Sequence, residues 1–196
     1  MAQARATRER ILATAEELLR RHGPAKTMVT DVARALSMSH ANVYRHFASK
    51  AELQDAVAER WLEQVSKPLA TIVARPGSAA ERLSDWLLAL AAAKRQKVRQ
   101  DPELFATYHA IAQEARGVVA DHVATLRRQV AAIIRSGVAS GEFAVTDPEA
   151  AAGAVLDATI RFHHPQQVRE AAGRDLEPEL KRVVALLLAG LRAGVL

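Results

Sequence analysis

The chain has 196 residues, 49% of them hydrophobic and 25% charged, with no cysteine; it is long enough for a real core and excludes disulfides, a thiolate nucleophile and cysteine-ligated zinc. Its longest apolar runs, LLALAAA after Trp86 and VVALLLAGL after Arg182, fall short of the ~20 residues a membrane-spanning helix needs. The whole formal excess of +5 lies in residues 1–50, where nine Lys and Arg stand against four Asp and Glu, and a local basic excess of this kind suits a polyanion partner.

The Arg-rich N-terminus is interrupted by Glu9, Glu16 and Glu17, against the acid-poor pattern of a transit peptide. A mature cytoplasmic protein is therefore expected. Ala, Leu, Arg and Glu dominate, and alternating β-branched runs are missing, which favours helix almost everywhere. Periodicity predicts a first helix over about 7–21, with Ile11, Leu12, Ala15, Leu18 and Leu19 on one face and His22-Gly23-Pro24 at its end. Thr27 is expected to cap a second helix bearing Val29, Val32, Ala33 and Leu36. Ser39 is expected to cap a third from His40 to about Phe47, with Val43 and Phe47 inward. Ser49-Lys50-Ala51-Glu52 has the form of a capping box opening a long fourth helix with Leu53, Val57, Trp61 and Val65.

Beyond the turn at 74–78, Ser78 and Glu81 form a second such box, before a helix through Trp86, Leu90 and Lys97. Asp101-Pro102-Glu103 and Asp147-Pro148-Glu149 each place an acidic cap before a proline at the first helical position. Val118 to about Val138 reads as helix, closed by the glycines of SGVASGEF, and a last helix starts near Glu177-Pro178. About nine helices and no strand are expected.

Two short helices joined by Leu36-Ser37-Met38-Ser39 are too short to stand alone. Packed on the first and fourth helices they form a helix-turn-helix, whose second member can enter a major groove. With Val43 and Phe47 inward, the outward residues are His40, Ala41, Asn42, Tyr44, Arg45 and His46. That face suits DNA.

The segment TMVTDVARALSMSHANVYRHFASKAELQDAV closely resembles the DNA-binding segment of the TetR family of transcriptional regulators, strongly over about residues 7–65. The resemblance implies an all-α fold: a three-helix DNA-binding head over 1–50, with the fourth helix leading on to about residue 68, and an effector-binding and dimerisation domain over 51–196. Ser37 departs from the family pattern, which usually has glycine there; at positive φ a serine would cost about 1 kcal/mol.

Lys50, at a helix N-terminus, is expected to hold a phosphate. Tyr44 and His46 either donate to phosphates, as in the family, or close the small head core with a partly buried ring. His40 and Asn42 point where base edges would lie, and Asn can pair with adenine. Arg45 either reads guanine or touches the backbone. Thr27, Thr30 and Ser39 complete the expected DNA-binding set around the two helix starts, with simple capping the alternative for Thr27.

Useful specificity from so small a head needs two copies on half-sites about 34–36 Å apart. The family resemblance implies a homodimer interface of the last two long helices, with Val155, Leu180, Val184, Leu187, Leu188 and Leu191 as its residues; ordinary intrachain core is the alternative. Trp86, Leu90, Phe105, Tyr108, His109, Thr159, Phe162 and His163 either line an effector cavity or fill the core. His163 and His164 are adjacent and diverge by roughly 100°, so no metal site is expected, nor any cofactor besides an unknown small-molecule effector. No phosphate loop, nucleophile elbow or HExxH motif is present. A non-enzymatic, ligand-responsive repressor on a palindromic operator is expected. A metal-dependent helical hydrolase using Asp157, His163 and His164, or a non-specific nucleoid binder, are the alternatives.

Overall fold

A computed structural model describes residues 2–100 and 102–195. Ten α-helices and one 3-10 turn make up its regular structure, with no strand among the described residues. The expected cap at Asp101 lies outside the described residues; the others can be compared directly.

Helix α1 (Ala2–Lys26) starts earlier than periodicity suggested and breaks where its end was expected, at Gly23, whose φ of 74° and ψ of 168° only glycine adopts cheaply. Helices α2 (Val29–Ala35) and α3 (His40–Tyr44) follow, then α4 (Lys50–Ala74). Helix α3 stops before Phe47 because residues 45–46 tighten into a turn, with His46 N–H bonded to Val43 O at 2.9 Å.

The chain divides into two compact units, residues 1–62 with 101–120, and residues 63–100 with 121–196. In the first unit Ile11, Ala15, Val32, Ala33, Val43 and Phe47 have no exposed surface. They come from α1, α2, α3 and the turn that follows α3, so each short helix is held by burial that its own length could not supply. Helix α6 (Pro102–Glu114) belongs to this unit: Phe105 and Tyr108 are buried, and the Tyr108 ring stacks on Trp61 at 4.7 Å between centroids.

The second unit contains α5 (Ala79–Gln100), most of α7 (Arg116–Ala139), α8 (Pro148–Ala158), α9 (Pro165–Glu170) and α10 (Glu177–Ala193). Its core centres on Leu83, Trp86, Leu90, Val130, Ile133, Ile134 and Leu191, each fully buried. Each such side chain contributes about 1.5–3 kcal/mol of transfer free energy.

Three local features explain how these helices start and stop. Ser78 accepts from Glu81 N–H at 3.4 Å, but α5 is capped chiefly from afar: Glu142 accepts from Ala79 N–H, Ala80 N–H and Ser78 Oγ at 2.9, 3.2 and 2.6 Å. Helix α7 ends in a glycine-closed turn, Gly141 at φ 78° and Glu142 N–H bonded to Gly137 O at 2.8 Å. Asp147 caps α8 by accepting from Glu149 and Ala150 N–H.

The chain does not run on as a single helix after α8. Thr159 turns its hydroxyl back to Val155 O, Ile160–Phe162 is a 3-10 turn, and His164 is extended before Pro165. A residue before proline disfavours the helical region, so the chain restarts as α9. That extra break accounts for ten helices where about nine were expected.

Candidate nucleic-acid interface

The geometry of the turn between α2 and α3 is set by backbone bonds. Met38 N–H reaches Ala33 O at 2.9 Å and Ser37 N–H reaches Arg34 O at 3.1 Å, the paired bonds of a helix end that needs a left-handed residue. Ser37 supplies it at φ 52°. Ser39 then starts α3, its Oγ accepting from Asn42 N–H at 3.2 Å.

Because Val43 and Phe47 are wholly buried, the rest of α3 and its last turn face outward: His40, Tyr44 and Arg45 are exposed, Asn42 and His46 half-buried. Asn42 and Arg45 are not independent. Arg45 Nη2 donates to Asn42 Oδ1 at 2.8 Å, so the amide is orientated with Nδ2 and one oxygen lone pair left over, and the guanidinium keeps its other donors.

Helix α4 begins in a capping arrangement one residue looser than a strict box. Ser49 Oγ accepts from Glu52 N–H at 3.1 Å, while Glu52 Oε2 accepts from Ala48 N–H at 2.7 Å. Lys50, half-buried, donates to Ala25 O at 3.3 Å, which holds its amine beside the start of α2. There, fixed charge and free helix-start amides favour an anion together.

Thr27 requires a correction. It does not cap α2, whose cap is Met28, with Asp31 Oδ2 accepting from Met28 N–H at 3.0 Å. The Thr27 hydroxyl donates to Gly23 O at 2.9 Å and lies 3.3 Å from Leu18 O, and only 5% of the residue is exposed. The break at Gly23 bends the chain so that Thr27 faces α1 rather than solvent. Thr30, half-buried on the first turn of α2, keeps an accessible edge. Sequence reasoning missed Arg8, whose guanidinium lies 4.8 Å over the Phe47 ring. The signal available for it was the basic excess of the first fifty residues.

Of the eight residues expected around an effector, Phe105, Tyr108 and His109 lie in the first unit and the other five in the second. Tyr108 Oη donates to Glu16 at 2.6 Å, a bond that fastens α6 to α1. Trp86 is fully buried and donates to Gln129 Oε1 at 2.9 Å, and Gln129 in turn donates to Ser66 O. Leu90 is core, and Thr159 is buried with its hydroxyl bonded within its own helix. His163 Nε2 lies 3.2 Å from Leu156 O; burial, with Lys94 adding to it against that bond, lowers its pKa to about 4.

Two further groups join His163. Lys94, 4% exposed, sits at a core position of α5; burial and then the like charge of Lys97 lower it to about 8. His122 on α7 is lowered to about 3, by burial first and then by Lys94 and His163, and its Nε2 has no hydrogen-bond partner among the described residues. The signal for Lys94 was its place among Leu83, Leu87, Leu90 and Val98 at helical spacing. Among the described residues no three His, Cys, Asp or Glu side chains cluster as a metal ion would require, and no helix is long and apolar enough to cross a membrane.

On α10 the leucine stripe divides in two. Leu180, Val184 and Leu191, with Val155 of α8, are at most 3% exposed in the chain's own core, so these four expected interface residues are already covered. Leu187 and Leu188 are half-buried, whereas Leu186 is 74% exposed.

Comparison with known proteins agrees with this arrangement. Residues 11–57 match the family model described as bacterial regulatory proteins, tetR family, and residues 79–184 match that described as tetracyclin repressor-like, C-terminal domain. An HTH-type transcriptional regulator of Mycobacterium tuberculosis (strain H37Rv) is 28% identical over 128 residues, 65% of this chain and 61% of that protein. Among solved structures, a transcriptional regulator from Pseudomonas aeruginosa PAO1 superposes with a TM-score of 0.71 at 19% identity, covering 96% of this chain and 91% of that one. The regulator FadR from Bacillus subtilis in complex with stearoyl-CoA gives 0.65 at 16% identity, covering 93% and 98%.

Proposed function

Because the chain belongs to the TetR family of bacterial regulatory proteins, its role as a DNA-binding transcriptional regulator is the premise from which we propose a finer one: a homodimeric repressor that binds a palindromic operator and is released by a small organic effector. The observation that carries this reading is the outward face of α3, where the orientated Asn42–Arg45 pair stands beside exposed His40 and Tyr44. In this reading Asn42 and His40 read base edges, while Lys50, Tyr44, His46 and Thr30 hold phosphates. Arg45 serves either edge or backbone. Thr27 acts through the fold of the head.

Dimerisation is assigned to the face of α10 that the chain's own core covers only in part: Val183, Leu186, Leu187 and Gly190, at i, i+3, i+4 and i+7, of which Leu186 is exposed and the others half-buried. A hydrophobic side chain as exposed as Leu186 fits burial against a second copy. Leu186→Glu is expected to elute as a monomer on sizing, and a dimer that survives it would count against this face. FadR, a fold neighbour crystallised with stearoyl-CoA, lends support to ligand binding.

The deciding experiment is a gel shift with the gene's own upstream DNA against random duplex. The repressor reading expects specific competitor to win by orders of magnitude; equal competition would leave a nucleoid-type binder. Lys50→Ala should weaken binding to every sequence and lower the salt slope by about 1, whereas Asn42→Ala should relax preference at particular base pairs.

A further inference from the structure

The C-terminal half of α5, the 3-10 turn, α9 and the loop leading to α10 enclose a cleft of about 190 Å3, wholly within the second unit. Its floor is apolar: Val98, Phe162, Val168 and Leu176 line it and are each at most 6% exposed. Its rim is cationic. Arg95, Arg99, Arg161 and Arg174 surround the opening, with Asp175 the one acid among the lining residues.

Most of that charge is uncompensated. Arg95 is drawn to Asp175 at 3.5 Å and to Glu177 at 3.6 Å, so the nearby acids are engaged with one guanidinium. Arg99, Arg161 and Arg174 make no ion pair among the described residues. Scattered surface arginines would ordinarily point apart into water. Here three exposed arginines line one cleft beside an apolar floor, so an anion resting on that floor lies within the field of all three. Guanidinium groups also suit carboxylate and phosphate by their forked donors.

Size limits the rest of the ligand. A cavity of about 150 Å3 accommodates benzene, so the space fits one ring or a short branched chain carrying one acidic group.

We propose that this cleft binds a small amphiphilic anion, its ring or short chain on the floor formed by Phe162 and Val168 and its carboxylate or phosphate among Arg99, Arg161 and Arg174. The proposal names the ligand class of the sensor domain, and it rests on the ligand-responsive reading above only for its consequence on DNA. Phe162 belonged to the expected effector set; the arginines did not. The interior cluster of Lys94, His122 and His163 is a separate feature and no part of this site.

The test is calorimetric titration of the full chain, without DNA and at low salt, with phenyl phosphate and with benzoate. Benzyl alcohol and inorganic phosphate serve as the neutral and ring-free controls. At least one aryl anion should bind about tenfold or more tightly than either control, and Arg161→Gln/Arg174→Gln should lose about that factor. Both arginines are exposed, so the double variant should keep the wild-type circular dichroism and melting temperature. Preference for phenyl phosphate or benzoate decides between phosphate and carboxylate. The proposal is overturned if neither anion binds, if inorganic phosphate binds as well as phenyl phosphate, or if the double variant binds unchanged. A gel shift run beside it separates the two readings. Anion binding that leaves DNA binding unaffected would remove the effector role and keep the cleft, whereas specific DNA binding without anion binding would do the reverse.

Discussion

The helix-turn-helix segment and the second unit are both helical, yet they fix their polar groups over different distances along the chain. Between Met28 and Glu52, the Lys50–Ala25 bond apart, the decisive bonds join residues three apart: Met28 to Asp31, Ser39 to Asn42, Asn42 to Arg45, Ser49 to Glu52. In the second unit they span 43 residues from Trp86 to Gln129, 54 from Arg82 to Ser136 and 64 from Ser78 to Glu142. The first kind of structure is written into adjacent letters and leaves a polar face free for a partner. The second exists only once distant helices have met, and its polar groups serve the interior.

The sharpest test of that contrast compares one side chain from each region. Trp86→Ala removes a fully buried indole and leaves the Gln129 oxygen without its donor, and should cost about 3–5 kcal/mol. Ser39→Ala removes one local cap and should cost about 1 kcal/mol. Urea unfolding of the two variants measures the difference. Equal losses would mean that the second unit does not depend on its long-range contacts as described.

This contrast also explains which parts could be read from the sequence. The caps at Ser39 and Asp147 and the glycine closure after α7 were legible because each is a short-range device with a recognisable residue at a fixed offset. Thr27 was misassigned because, although the end of the first helix at Gly23 was legible, the bend that turns the Thr27 hydroxyl back onto Gly23 O was not. For α10 the periodicity showed a broad apolar stripe, but only packing decides that Leu180, Val184 and Leu191 turn inward while Leu186 stays out. Phe105 and Tyr108 were legible as cavity or core aromatics, but their partner Trp61, from α4, was not visible in the pattern.

A smaller effect distinguishes the long-range cap by pH. The Glu142 carboxyl is held down to about 2 from 4.5, first by the Ser78 hydroxyl and then by the Ala79 and Ala80 amides. A depressed carboxylate contributes stability that is fully present above its unfolded pKa and disappears as the folded one is crossed. The melting temperature should therefore fall between about pH 4.5 and pH 2 more steeply in the wild type than in Glu142→Gln, which cannot titrate there. At pH 7 the variant should already melt lower. Parallel melting curves across that window would show that the carboxylate does not hold the start of α5.

The smallest expected effect lies in the turn itself and runs in the stabilising direction. Ser37 occupies φ 52° while its N–H and that of Met38 close the end of α2. The side chain is exposed and makes no hydrogen bond among the described residues, so glycine would remove the left-handed penalty without removing a contact. Against this, glycine gains freedom in the unfolded chain, which offsets part of the relief. Ser37→Gly should therefore raise stability by at most about 1 kcal/mol in urea, with the DNA sequence preference unchanged because Ser37 is not on the outward face of α3. A loss of stability would mean that the serine itself holds the turn. A changed preference would mean that the turn, through the angle at which it presents α3, takes part in reading the operator.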